Sequence, residues 1–314
     1  SVAMILQQHD VNFPNGDIVT PANLNTWLKG EPDGYVGPGL VNWLAVARLA
    51  HQSQVAGEAP HSLEFTVEPY DDTGVATFVA TNPVILSEPG HFIVAHGEDG
   101  ANWKVADPAD EARLLASKTG FGNAYYFTPS STNLAYILLV TEPDVTVNLA
   151  GSQQVVETLN AEDEGESVTK KLIYYPKPAE GVYELGVTGP TQSEIMAYFY
   201  DQNGNVMTQT LTLGEFTSAE FTINFDPSGS SAVELNTTPI LAYIQSLRTP
   251  KTSANGVFQA VYSRFVEYLG YLQNDVEGTY FADLSKYVSR QSPRVISPAT
   301  KDTLINYIEL VEAN

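Results

Sequence analysis

The chain has 314 residues, room for two or three cores when single domains settle near roughly 100–200 residues. With 43% hydrophobic and 17% charged residues it has a globular composition, no run approaches the ~20 apolar residues that span a bilayer, and a net charge of −22 repels phosphate backbones and anionic lipids, which argues against a nucleic-acid partner. Cysteine is absent, which excludes a disulfide framework, a zinc–thiolate site and a thiol nucleophile within these residues.

The chain opens at Ser1 on an apolar helical pattern, with Val2, Ala3, Ile5 and Leu6 on one face, and with neither an initiator Met nor a signal peptide. This predicts a processed or truncated product whose targeting segment is gone. Thr20 with Pro21 is an N-terminal helix signal that leads Leu24, Trp27 and Leu28 onto one face before Gly30. A third helix is expected from about Gly39 through Trp43, Val46 and Leu49, entered by the Gly/Pro-rich segment 34–39. Short strands follow at 63–67, 84–86, 92–95 and 103–105, the last two joined through a turn at Glu98-Asp99-Gly100. Thr128-Pro-Ser-Ser-Thr-Asn133 has linker composition and marks a boundary.

From Leu134 to about Leu235 the period is two. Segments 136–140, 145–149, 171–175, 182–187, 195–200, 207–213 and 220–225 alternate or run apolar between Gly, Pro, Asn and Asp, and seven short strands predict a β-sandwich of the Ig-like kind. Asp201-Gln-Asn-Gly-Asn205 has the beginning of a calcium loop, but its flanking strands make it a hairpin turn; a structural calcium held by acidic oxygens is the one cofactor this composition suggests. After Thr237 the period becomes helical. Ile240–Leu247, a face of Val257, Val261, Phe265, Leu269 and Leu272, a second of Phe281, Leu284 and Val288, and a third after the cap Ser297-Pro298 make a small bundle.

The segment richest in chemistry is Gly90-His91-Phe-Ile-Val-Ala-His96, followed by Trp103-Lys-Val-Ala-Asp107-Pro108. A His opening an apolar strand and a neighbouring strand ending in Asp bring imidazole and carboxylate within hydrogen-bonding reach. A thiol or hydroxyl nucleophile needs this pair, because the carboxylate fixes the tautomer while the imidazole takes the proton. The alternative from spacing alone is a half-buried strand-start His and a turn-capping Asp.

The same stretch resembles the papain-like cysteine peptidases related to the enzymes that process bacteriocin leader peptides. Ser1-Val-Ala-Met-Ile-Leu6, Thr20-Pro-Ala-Asn-Leu-Asn-Thr-Trp-Leu28 and Gly39-Leu-Val-Asn-Trp43 resemble, in order, that family's first helix, its second helix and the segment before its central helix. The likeness covers residues 1–127. It implies that His91 is the general base and Asp107 its orienter. It also implies a Gly-Cys pair a few residues before the helix that starts at Ser1, where the helix dipole and the His lower the thiol pKa, and an oxyanion-hole Gln farther upstream. Both lie outside these residues, so the chain as it stands is expected to be inactive.

Other groups carry less. Ser1 could be an N-terminal nucleophile, but such residues usually lead a strand, and Ser1 starts a helix. His96 reads as a turn-flanking surface residue, and no pattern singles out His9, His51 or His61. Without His-x-x-x-His or a carboxylate cluster a catalytic metal is not expected. Trp27, Trp43, Trp103, Tyr174-Tyr175 and Tyr198-Phe-Tyr200 read as core before they read as ligand platforms.

Gly181–Gly189 with Glu220–Phe225 is similar to β-sandwich modules appended to secreted bacterial proteins, and Phe281–Val311 to small helical modules that end such proteins. The expected architecture is therefore multidomain: an α+β papain-like domain over 1–130, an all-β sandwich over 134–236 and an α-helical bundle over 238–314. The expected function is a secreted, extracellular or cell-surface peptidase-like protein acting on a peptide or protein, with an upstream Cys as nucleophile. The rival is a non-catalytic surface or filament-forming protein that keeps the peptidase fold as a packing module and self-associates through the sandwich.

Overall fold

The computed structural model describes residues 1–130, 133–151, 154–163, 166–248, 255–274 and 278–314. They form a mixed α/β molecule with several antiparallel sheets. The first part runs α1 (Val2–Gln8), α2 (Pro21–Gly30), a small hairpin of β1 (Tyr35–Gly37) and β2 (Leu40–Val41), α3 (Trp43–Ala56), β3 (Ser62–Pro69), α4 (Asp72–Val79), β4 (Val84–Glu88), β5 (His91–Asp99), β6 (Asn102–Ala106), β7 (Leu115–Ser117) and β8 (Asn123–Ser130). The predicted caps are used. Thr20 Oγ1 accepts the Asn23 N–H while Asn23 Oδ1 accepts the Thr20 N–H, and Pro21 fills the first turn, where no N–H is needed. Asn42 Oδ1 accepts the Leu44 N–H at the start of α3.

Strands β3–β8 form one sheet in the order β3-β8-β4-β5-β6-β7. Helix α4 covers one face, where Val75 and Val79 meet Leu86, Ile93, Trp103 and Val105. The other face carries Phe65, Ile85, Val94, Tyr125 and Phe127 into a core with α1, α2 and α3. The turn expected at Glu98-Asp99-Gly100 is displaced. Glu98 and Asp99 pair with Trp103 and Asn102, and Gly100 turns the chain at φ +60°, a value that favours glycine.

The second part runs β9 (Tyr136–Thr141), β10 (Thr146–Leu149), β11 (Val155–Asp163), β12 (Glu166–Pro176), β13 (Gly181–Thr188), β14 (Glu194–Tyr200), β15 (Val206–Thr212), β16 (Ser218–Phe225) and β17 (Ala232–Leu235). They make a five-stranded sheet, β11-β12-β9-β14-β15, and a four-stranded one, β10-β13-β16-β17. The facing sides share a core of Ile137, Leu139, Ile173, Phe199, Leu185, Val187, Phe221 and Ile223. The seven expected strands are present; β11 and β17 are additional. Asp201-Gln-Asn-Gly-Asn205 is the β14–β15 turn, its carboxylate accepting the N–H groups of Asn203 and Asn205, both at 2.8 Å, and the Asn205 amide at 2.7 Å.

The outer side of the five-stranded sheet is also covered. Tyr136, Leu138, Val140, Leu172, Tyr174, Tyr198 and Tyr200 join the core built by α1–α3 and β3/β8. A sheet buried on both faces has no reason to alternate apolar with polar, which is why β9 reads as a continuous run. The predicted linker is partly strand: Thr128–Ser130 belong to β8, and 131–132 lie outside the described residues.

Polar groups tie the same seam. Tyr200 OH donates to Asp33 Oδ2 at 2.9 Å and accepts from Asn42 Nδ2 at 2.8 Å, while Arg48 pairs with Asp33 and Glu31. Tyr136 OH donates to the Phe65 carbonyl at 2.7 Å. Buried Glu157 of β11 accepts from Tyr125 OH and Tyr174 OH, each at 2.6 Å.

The last part holds α5 (Thr238–Ser246), α6 (Asn255–Gln273), α7 (Tyr280–Ser289) and α8 (Pro298–Ala313), packed around Ile244, Val261, Phe265, Leu284, Val288, Leu304 and Ile308. Ser297 Oγ caps α8 by accepting the Thr300 N–H. The bundle docks on the sandwich through Phe216 stacked on Tyr307 and through Asn314 at Thr212. No helix among the described residues is long and apolar enough to cross a membrane.

Candidate functional site

The turn from β4 to β5 is Pro89-Gly90, closed by the pair Glu88 and His91. Proline presets the first central position, and Gly90 sits at φ +71°, the pattern of a type II turn. His91 is thus delivered as the first residue of β5, directly opposite Glu88. On the next strand β6 ends at Ala106, and Asp107 caps the loop that follows. Its Oδ1 accepts the N–H groups of Ala109 at 2.9 Å and Asp110 at 3.3 Å, which fixes the carboxylate.

His91 Nε2 lies 2.6 Å from the same Oδ1. Burial opposes the charge on Asp107, but the Ala109 N–H, His91 and Arg113 outweigh it and hold the carboxyl down at about 2. An ionised carboxylate only accepts, so Nε2 donates this bond and Nδ1 is the ring nitrogen left free of it. The Asp107 side chain is 3% exposed and the His91 side chain 28%, so the carboxylate is enclosed while the ring reaches the surface.

Arg113 completes the group. Its guanidinium takes Glu88 in a two-pronged pair, with Nη2 to Oε2 at 2.9 Å, and donates from Nη1 to Asp107 Oδ2 at 3.1 Å. The Arg113 pair draws Glu88 below its ordinary range against the opposing effect of burial, and the Glu88 bond raises Arg113 in turn. Glu88, His91 and Asp107 place one ligand atom each within 4.8 Å of one another, a spacing that a metal ion could use. Arg113 already supplies the cation there, so the cluster fits an ion pair better than a metal centre.

The N-terminal end of α1 is in electrostatic range of this group. Burial pushes the Ser1 ammonium below its ordinary value, and the Asp107 carboxylate pulls it back up, which puts the two within electrostatic reach. His91 also lines a cleft of about 520 Å³. One wall is Ser87–Phe92, another Gly120–Asn123, and the third is Thr158, Leu159 and Asn160 of β11. No protein-family model, curated protein or solved structure matches this chain.

The sequence pair His91 and Asp107 is brought together. His96 sits apart, exposed at a bulge of β5 between Ala95 and Gly97. Trp43 and Trp103 are buried and Trp27 is half-buried under Arg48, so all three serve packing. Tyr174 and Tyr200 face one core and Tyr175 and Phe199 the other. Three contributors went unpredicted: Glu88, Arg113 and β11. The signal for the first two was present, since Glu88 flanks Pro89-Gly90-His91 and Arg113 is the one basic residue between Asp107 and Lys118. His9 and His61, which no sequence pattern singles out, are brought together. They meet edge-on with ring centroids 5.8 Å apart, and neither Nε2 has a hydrogen-bond partner among the described residues.

Proposed function

We propose that residues 1–130 are a papain-like peptidase module in which His91 is the general base and Asp107 the residue that orients it. The nucleophile would be a Cys carried before Ser1. The observation that carries this reading is the His91–Asp107 pair at 2.6 Å, with His91 open to a cleft and the N-terminal end of α1 in electrostatic range of Asp107. A thiol set at that end would lose its proton to Nδ1 and attack a peptide carbonyl; the imidazolium would return that proton to the departing amine as the C–N bond breaks, leaving an acyl-enzyme that water hydrolyses. Asp107 stays ionised throughout and stabilises the imidazolium. The sandwich fits an Ig-like module and the helices a terminal module of a secreted, extracellular protein. These finer assignments rest on the sequence resemblance.

The test uses the protein extended upstream to a Gly-Cys pair. That form is expected to react with iodoacetamide faster than free cysteine and to hydrolyse peptides. His91→Ala should lower the rate by about 10²–10⁴. An ordinary thiol reactivity, unchanged by His91→Ala, would remove catalysis from consideration. The rival reading, a packing module in a self-associating surface protein, draws on the core that the first sheet shares with the sandwich. Oligomers that survive dilution would favour it.

A further inference from the structure

We infer that the outer edge of β11 is a docking rail on which a substrate peptide lies as an added strand, with its main chain running toward His91. The inference rests on the peptidase reading and adds to it the substrate's conformation and the part of the fold that selects it.

Side chains alternate along a strand, so one face lines a cavity with every second residue. Here three consecutive residues, Thr158, Leu159 and Asn160, line the cleft that holds His91. The cleft therefore meets β11 at its edge, where backbone rather than one row of side chains is presented. That edge is open: β11 ends the five-stranded sheet, pairing with β12 on one side and with no strand on the other among the described residues. Buried Glu157, tied to Tyr125 of β8 and Tyr174 of β12, holds the strand in place against the first sheet. An exposed edge with unpaired N–H and C=O groups is the element that captures extended peptides.

The opposite walls suit a main chain as occupant. A Cβ built on Gly90 or Gly120 would meet nothing within 4 Å, so the wall there leaves room for a backbone. The lining also has little charge to offer. Glu88 is spent on Arg113, and apart from His91 the remaining polar side chains are neutral, such as Ser87, Asn123, Thr158 and Asn160. The occupant is an unfolded segment, uncharged over the cleft, held through its backbone.

The present chain has no thiol, so it should bind such a segment without cutting it. The probe is a pool of capped, uncharged decapeptides of Ala, Ser, Thr, Val and Gln. Hydrogen exchange is expected to slow about ten-fold over 156–160 when the pool is added, and a pool N-methylated at alternate residues should bind about ten-fold more weakly. Binding that ignores N-methylation, or leaves 156–160 unchanged, overturns the rail. The Cys-bearing form separates the two readings. If it cuts peptides while β11 stays unprotected, the rail falls and the peptidase stands. Protection of β11 without cutting keeps the rail and removes the peptidase. With neither, both fall.

Discussion

Tyr200→Phe tests the seam between the first sheet and the sandwich. The hydroxyl donates to the fully buried Asp33 carboxylate at 2.9 Å and accepts from the fully buried Asn42 amide at 2.8 Å. Losing a hydrogen bond to a charged group costs about 1.5–3 kcal/mol, and leaving the Asn42 donor unpaired adds about 1 kcal/mol, for a sum of about 2.5–4 kcal/mol. With a urea slope of about 3 kcal/mol per M, the unfolding midpoint should fall by about 1 M. Trp27, Trp43 and Trp103, the three tryptophans of the chain, all precede residue 131, whereas Tyr200 sits on β14. Tryptophan fluorescence thus reports on the first part while the substitution is made in the second. If they share one core, the fluorescence midpoint must move. Tyr183→Phe is the control, because that hydroxyl reaches the Ala179 carbonyl at an exposed site and its loss should stay within about 0.5 kcal/mol. A far-UV transition that shifts while the fluorescence transition stays would refute the shared core.

Acid should act on two groups in separate windows. His9 is held below its ordinary value by burial first and by His61 second, so its stabilising effect is full above about pH 6.5 and is lost as the pH falls through the lowered value. His9→Phe should flatten the stability difference between pH 7.5 and pH 5 in urea titrations. Asp107, held at about 2, contributes stability above about pH 4 that disappears as the pH approaches 2, and Asp107→Asn should remove that part of the acid transition followed by circular dichroism. Arg113→Met leaves two carboxylates facing one another and should lower stability by about 1–3 kcal/mol, with Arg113→Lys recovering part of it; equal losses in both would deny the two-pronged contact its role. Ser297→Ala removes the cap of α8 and should cost about 1 kcal/mol in thermal denaturation.

The elements most visible in the sequence were those whose local chemistry agreed with their place in the fold. Thr20-Pro21 and Ser297-Pro298 start helices where they were expected to. Strand β11 was missed because its inward positions are Val155, Glu157, Leu159 and Ala161. A carboxylate in the middle of that row breaks the alternation, and only Tyr125 and Tyr174, distant in the chain, make it tolerable. Strand β8 was hidden for the opposite reason. Ala124 and Tyr126 face one core and Tyr125 and Phe127 another, so the segment is apolar without a period. Helix α4 is short and rich in Thr, Val and Gly; the Asp71 side chain that caps it is an ordinary turn residue until its bond to the Gly74 N–H is seen. At the site the His and the Asp were legible because each opens or closes a strand. Arg113 was not, since its partners are set by how the loop after Asp107 folds back.

The double burial of the five-stranded sheet decides what a cut between the parts would do. A protease that severed the chain near residue 131 would leave Tyr136, Leu138, Val140, Tyr174 and Tyr198 pressed against α3 and β3, with Asp33 still gripping Tyr200. The two pieces would stay together as a non-covalent pair, and released from each other they would each carry a greasy flank into water.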